Sequence, residues 1–190
     1  MEPVLTNPTL FMIMLGCKPA GRHTEQHDIF FSIADSIDQT KAAVLAFWPE
    51  ANGRVHMDAW RKVTAVDGYQ IHVVPKSQPE VSNDLKLFFI NLGGYREGEF
   101  DEPHYKLLIV AKDKAAASKQ AKQTAFYKHT GFAGAPSHID DKYGVDVDDA
   151  FQIEDVLSAE LKAMYRLEIS PAANLEADAF TLGYMPLYKD

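Results

Sequence analysis

The chain reads as an α+β protein made of two tandem copies of one β-β-α-β(-β) unit. Its helices are expected to pack on a mixed or antiparallel sheet and to be related by a pseudo-twofold axis. Three observations predict this. LFMIMLGCKPAGRHTEQHDIFFSIA from Leu10 lies on LFFINLGGYREGEFDEPHYKLLIVA from Leu87 without a gap, with identities at Leu10/Leu87, Phe11/Phe88, Ile13/Ile90, Leu15/Leu92, Gly16/Gly93, Gly21/Gly98, Glu25/Glu102, His27/His104 and Ala34/Ala111. Each copy then runs from two apolar, strand-like segments into a helical pattern. Finally, 190 residues with 46% hydrophobic and 24% charged side chains suffice for a real core without staples.

In the first copy, Leu10–Leu15 and Asp28–Ile33 are continuous apolar runs, the pattern of strands buried on both faces. Ser36 stands as a helix N-cap with Gln39 three residues on, Ile37, Thr40, Val44 and Trp48 share one face, and Pro49 stops the helix. Trp60–Ala65 and Tyr69–Val74 flank a turn with Asp67 and Gly68 and predict a hairpin. PKSQPEVSND, residues 75–84, is a linker. In the second copy, Leu87–Leu92 and Lys106–Val110 repeat the strands, Asp113 caps an alanine-rich helix running to Tyr127, and Gly131 is expected to end it in a left-handed conformation.

After five extra residues in the second copy, HMDAWRKV from His56 lies on HIDDKYGV from His138. Beyond Val145 two registers are open. One sets Asp67, Gln70 and Ile71 on Asp149, Gln152 and Ile153; the other sets YQIHVVP from Tyr69 on YRLEISP from Tyr165, making residues 146–164 an insertion. The organisation is thus repeat one at 10–74, linker at 75–84, repeat two at 85–171, and a tail at 172–190 whose Phe180, Tyr184, Met185, Leu187 and Tyr188 are too apolar to hang free and are expected to pack on the body.

A net charge of −8 argues against nucleic-acid and anionic-membrane binding and is compatible with a basic protein partner, the acidity being densest among Asp140, Asp141, Asp146, Asp148, Asp149, Glu154 and Asp155. That run fits no EF-hand loop. A single cysteine, Cys17, excludes an internal disulfide and carries no cue for thiolate activation. With a short apolar run near the N-terminus and no basic segment before it, the expected location is the cytoplasm; a homodimer is compatible with the pattern.

Gly16/Gly21 and Gly93/Gly98 have the spacing of a phosphate loop, but Arg22-His23 and Glu99-Phe100 stand where Lys and Ser or Thr are required. The four glycines read instead as loop residues serving a tight excursion between strands. Glu25-x-His27 and Glu102-x-His104 place both side chains of each pair on one sheet face if they belong to strands, and His56-x-Asp58 and His138-x-Asp140 share that spacing. Convergence of the two pairs in each copy would offer two imidazoles and two carboxylates to zinc, manganese or iron. Structural bracing by buried hydrogen bonds is the competing role.

The doubled L-G-x4-G-x3-E-x-H pattern with a later H-x-D resembles a bacterial family classed as the domain of unknown function fifteen-forty-three, from Leu10 to about Val156. Cys17, where the second copy has Gly94, departs from it. The resemblance implies one or two copies of such a unit and no activity, substrate or cofactor. The leading functional expectation is a cytoplasmic, non-enzymatic binding or interaction protein with an acidic surface and no cofactor. The alternative is a metal-dependent enzyme using the duplicated Glu-x-His and His-x-Asp motifs.

Overall fold

The computed structural model describes residues 5–80, 83–129, 131–139 and 150–187. Two compact units emerge: Met1–Glu80 together with Leu157–Asp190, and Val81–Val156. The chain runs through β1 (Thr9–Cys17), β2 (Gln26–Ala34), α1 (Lys41–Phe47), β3 (His56–Lys62), β4 (Ala65–Val66) and β5 (Tyr69–Pro75) of the first unit. The second unit holds β6 (Lys86–Gly93), β7 (His104–Ala111), α2 (Lys114–Ala121), α3 (Ala125–His129), β8 (Gly131–Phe132), β9 (Ala135–Pro136), β10 (His138–Ile139), β11 (Ala150–Gln152) and α4 (Ile153–Val156). The chain then returns to the first unit as α5 (Ala159–Met164), β12 (Tyr165–Pro171) and β13 (Thr181–Pro186). Every described strand pair is antiparallel. Among the described residues no helix is long and apolar enough to cross a membrane.

The first unit contains a sheet ordered β13-β3-β1-β2 and a second ordered β12-β5-β4. Alternation along β1 sends Phe11, Ile13, Leu15 and Cys17 to the α1 side, where they bury with Ala34, Val44, Val55 and Met57. Full burial of each large apolar chain there contributes roughly 1.5–3 kcal/mol. In the second unit β6 lies between β7 and the pair β10 and β11, and Phe88, Ile90 and Leu92 bury with Ile109, Ala117, Ala121 and Ala150.

The two hairpins share one register. Leu10 faces Ile33, Ile13 faces Phe30 and Gly16 faces His27. Leu87 faces Val110, Ile90 faces Leu107 and Gly93 faces His104. The third strands add to the same edge at the same place, Gly16 opposite His56 and Gly93 opposite His138.

Several local expectations are corrected. Ser36 makes no side-chain cap; a 3-10 turn over Ile37–Thr40 precedes α1, and Gln39 Oε1 instead accepts from the Asp35 N–H at 2.8 Å. Asp113 does cap α2, accepting from the Ala116 N–H at 2.7 Å, but the helix breaks before residue 125, where the Thr124 hydroxyl receives the Tyr127 N–H. Gly131 takes the expected positive φ, +109°, two residues after α3 ends, and also opens β8. Asp67 and Gly68 (φ +51° and +80°) form the predicted turn, yet only Ala65–Val66 pair across it, because β3 joins the other sheet.

Of the two registers beyond residue 145, strand pairing favours the second. Gln152 pairs with Phe88 just as Lys62 pairs with Phe11, so Gln152 takes the place of Lys62 rather than Gln70. Tyr165–Pro171 pairs antiparallel with Tyr69–Pro75, His72 lying opposite Glu168. The compact units therefore do not follow the repeat boundaries 10–74 and 85–171: β12 bonds to β5 and so belongs with the first unit.

The tail is tied to β3, while Phe180 and Tyr184 remain largely exposed and Tyr188 lies outside the described residues. β13 pairs with β3, Met185 and Leu187 pack on the first core, and Asp178 accepts from the N–H groups of Thr64 and Ala65 and from the Thr64 hydroxyl.

Candidate metal centre

The four candidate residues of the first copy come together. Gly16 sits in β1 between His27 of β2 and His56 of β3, all three at one level of the sheet and on the face turned away from α1. A β-bulge does the rest. Leu15 pairs with Met57 and Met14 with Ala59, leaving Asp58 as the extra residue on β3 and re-aiming its carboxylate toward His56. Glu25, just before β2, reaches in from the loop.

His56 Nε2 lies 2.6 Å from Glu25 Oε1 and 3.3 Å from Asp58 Oδ1, while His27 Nε2 lies 3.4 Å from Asp58 Oδ2. Ligand atoms of Glu25, His56 and Asp58 all fall within 4.8 Å of one another. The His56 side chain is only 10% exposed and those of His27 and Glu25 are nearly half exposed, so the cluster has a buried base and an open side. Asp58 Oδ2 is sealed from solvent and accepts no hydrogen bond from any described residue.

Gly16 forms the floor. A Cβ there would stand 2.5 Å from His56 Nε2 and 2.6 Å from Glu25 Oε1, and would also overlap Asp58 Oδ2. The loop role expected for all four glycines is thus corrected for two: Gly16 and Gly93 are strand residues without positive φ, and Gly16 is small because three polar atoms converge above it. Gly21 and Gly98, at φ +78° and +83°, are the turn glycines. Cys17 points to the opposite, buried face; burial pushes its thiol up, against the lowering pull of Arg54, which agrees with an inert cysteine.

Two features were not foreseen. The Tyr184 ring of β13 packs on the His56 ring, centroids 4.4 Å apart, and braces it. The tail's apolar character predicted docking, but no pattern in the sequence said where. A cleft of about 470 Å³ also opens beside His27, walled by Phe47 and Trp48, with Arg22 and Asp28 among its polar groups. Burial pushes the Asp28 carboxyl up, partly offset by the Ile29 N–H.

In the second copy Glu102 is half-buried and His104 exposed, and His138 stands opposite Gly93 through its backbone. Asp140, with Asp141, Asp146, Asp148 and Asp149 of the acidic run, lies outside the described residues; Glu154 and Asp155 fall in α4.

Fold and cluster together define an antiparallel α+β protein with a mixed imidazole–carboxylate centre at a sheet bulge. Residues 22–73 match the family described as Domain of Unknown Function (DUF1543), the family the motifs resemble, and that segment contains Glu25, His27, His56 and Asp58. The crystal structure of a protein Il1583 from Idiomarina loihiensis is similar over 96% of this chain and 100% of that one, with TM-score 0.57 and 22% identity, a likeness of fold alone. No curated protein matches.

Proposed function

We propose that the chain is an internal duplication and that its first copy is a divalent-metal centre, zinc by ligand chemistry, acting on a small molecule that enters through the cleft beside His27. Equal hairpin registers and the common positions of His56 and His138 support the duplication. The pairing of β5 with β12 supports a pseudo-twofold, because His72 and Glu168, equivalent in the two copies, face each other.

The observation that carries the metal reading is the gathering of Glu25, His56 and Asp58 over Gly16, with a buried carboxylate oxygen left without a donor. Two imidazoles stand beside that carboxylate at 3.3 and 3.4 Å, and a cation would give its buried oxygen the partner that hydrogen-bond geometry leaves unmade. Zinc bonds of about 2.0–2.2 Å in a tetrahedron set neighbouring ligand atoms about 3.3 Å apart. His56 Nε2 and Asp58 Oδ1 already have that spacing, at 3.3 Å. Glu25, on an exposed stem, needs only to back away from its present 2.6 Å. Imidazoles favour zinc over magnesium or calcium.

A bound ion would supply Lewis acidity and a water of lowered pKa. His27, shared between cluster and cleft, is placed to accept or donate a proton there.

The test is zinc titration of chelator-stripped protein by calorimetry, with circular dichroism as fold control. His56→Ala should lower uptake by one equivalent per chain. If His56→Ala takes up as much zinc as the wild type while losing stability, the cluster is a structural brace and the metal reading fails.

A further inference from the structure

We infer that the cleft beside His27 binds small zwitterions of the amino-acid class, an ammonium and a carboxylate on an apolar body, a chemistry that free amino acids and short peptides share. As a statement of what reaches the metal centre, this rests on the metal reading of the first cluster. As a statement of binding, it rests on the cleft's own side chains.

The cleft lies at the edge of a sheet. β2 ends the order β13-β3-β1-β2. Residues opposite one another in a ladder share a face, so Gln26 and Asp28, across from Cys17 and Leu15, belong to the α1 side. His27, across from Gly16, belongs to the side of the metal cluster. All three line the cleft, which therefore passes around the edge of β2 from one face toward the other. A molecule held by groups on the α1 side thus also meets His27.

Those groups carry both signs of charge. Arg22 stands on the loop before β2, Asp28 on the strand itself, and Glu50 in the turn after α1. Among the described residues the Arg22 guanidinium and the Glu50 carboxylate make no hydrogen bond or ion pair, and Asp28 accepts only from the Ile29 N–H, at 2.7 Å. Opposite charges that share a cleft without pairing are each free for a ligand. A purely cationic ligand would face Arg22, and a purely anionic one would face Asp28 and Glu50; like-charge contacts of this kind reject wrong partners. A zwitterion meets both signs favourably. Burial pushes the Asp28 carboxyl up, and an ammonium beside it would offset that desolvation.

The apolar body has a wall to lie on. Phe47 is 43% exposed and packs tilted against Phe30 with centroids 4.9 Å apart, while Trp48 is anchored on the first core. At about 470 Å³ the cleft falls in the lower part of the range of ligand pockets, roughly 300–1,000 Å³, enough for an amino acid or a dipeptide.

The experiment is NMR titration of the full chain, chelator-stripped and then zinc-loaded, read at the Trp48 indole and His27 imidazole signals. The probes are L-phenylalanine and the dipeptide L-phenylalanyl-L-phenylalanine, with phenethylamine and 3-phenylpropanoate each lacking one charge. A zwitterion should bind, the tighter of the two naming the source, and the single-charge analogues should bind at least about tenfold more weakly, the scale of one lost charged hydrogen bond. Arg22→Gln should weaken zwitterion binding and leave phenethylamine no weaker; Asp28→Asn and Glu50→Gln should weaken it and leave 3-phenylpropanoate no weaker. Arg22 and Glu50 are exposed, so their replacement should leave the circular dichroism spectrum unchanged. Binding of neither zwitterion, or a single-charge analogue that binds as tightly, overturns the inference. Zinc uptake without zwitterion binding overturns it alone, whereas zwitterion binding by a chain that takes up no zinc upholds the cleft and removes the metal reading.

Discussion

Replacing Gly16 with alanine tests the centre at its narrowest point. The backbone there is not left-handed, so alanine suffers no conformational penalty and the effect is purely one of space. Ordinary contacts begin near 3.4 Å, so His56 Nε2 at 2.5 Å and Glu25 Oε1 at 2.6 Å must each retreat by about 0.8–0.9 Å, several times the ±0.2 Å tolerance of a metal–ligand bond. Glu25 can swing outward on its exposed stem. His56 cannot, being nearly buried and held by Tyr184. Zinc affinity at the first site should therefore fall by at least roughly 100-fold, the upper end of what disturbing an outer-shell partner costs. Overpacking should also cost about 1–3 kcal/mol of stability, or a few degrees in Tm per kcal/mol for a chain of this size. Gly21→Ala is the control: at φ +78° with open space around it, it should cost about 1 kcal/mol and leave zinc binding untouched. Calorimetric titration decides, and Gly16→Ala with wild-type affinity would show that no ion sits above Gly16.

Asp58→Asn, which keeps shape and removes charge, should weaken zinc binding by roughly 10–100-fold with an unchanged circular dichroism spectrum; equal affinity would remove Asp58 from the ligand set. Tyr184→Ala should lower Tm through loss of a ring pair worth about 0.5–1.5 kcal/mol, and His56 should then show a more mobile ring by NMR. Phe11→Ala, at a fully buried position, should cost about 3–5 kcal/mol in denaturant unfolding. Asp35 accepts from the N–H groups of Thr6 and Asn7, which hold its carboxyl below its ordinary 3.8. A lowered folded-state value means stability present above the ordinary value and lost as pH falls through the lowered one. The Tm gap between wild type and Asp35→Asn should accordingly be full at neutral pH and close below about pH 3.8; a gap independent of pH would refute the linkage.

Much of the fold was legible because it rests on periodicity and repetition. The gapless match from Leu10 to Ala34 with Leu87 to Ala111 foretold two hairpins, and β1 with β2 and β6 with β7 pair in one register. The four side chains of the first centre could be nominated from spacing two, since that spacing keeps a pair on one face of a strand. Their convergence could not be read, because it depends on which strand lies beside which. Asp58 also needs the bulge opposite Met14 and Leu15, which no residue type announces. Gly16 misled for a related reason: glycine in a sequence signals either backbone freedom or lack of space, and only neighbours from other strands tell the two apart. The start of the first helix was not legible, because a competing local hydrogen bond decides there: Gln39 reaches Asp35 rather than Ser36, whereas Asp113 caps α2 as its residue type suggests.

The return of the chain after Val156 has a consequence for biosynthesis. The first sheet stays unfinished until β13 has been made, and β5 has only the two residues of β4 beside it until β12 follows. At roughly 5–20 residues per second, the stretch from Glu80 to Pro186 takes on the order of 5–20 s to translate. For that interval the nascent first unit displays β3 as a bare edge, an invitation to pair with another chain. The second unit has no such wait, since the strands that pair within it lie between Lys86 and Gln152. On the ribosome the later-made unit should close before the earlier one, and cells short of nascent-chain chaperones should lose this protein to aggregation through β3.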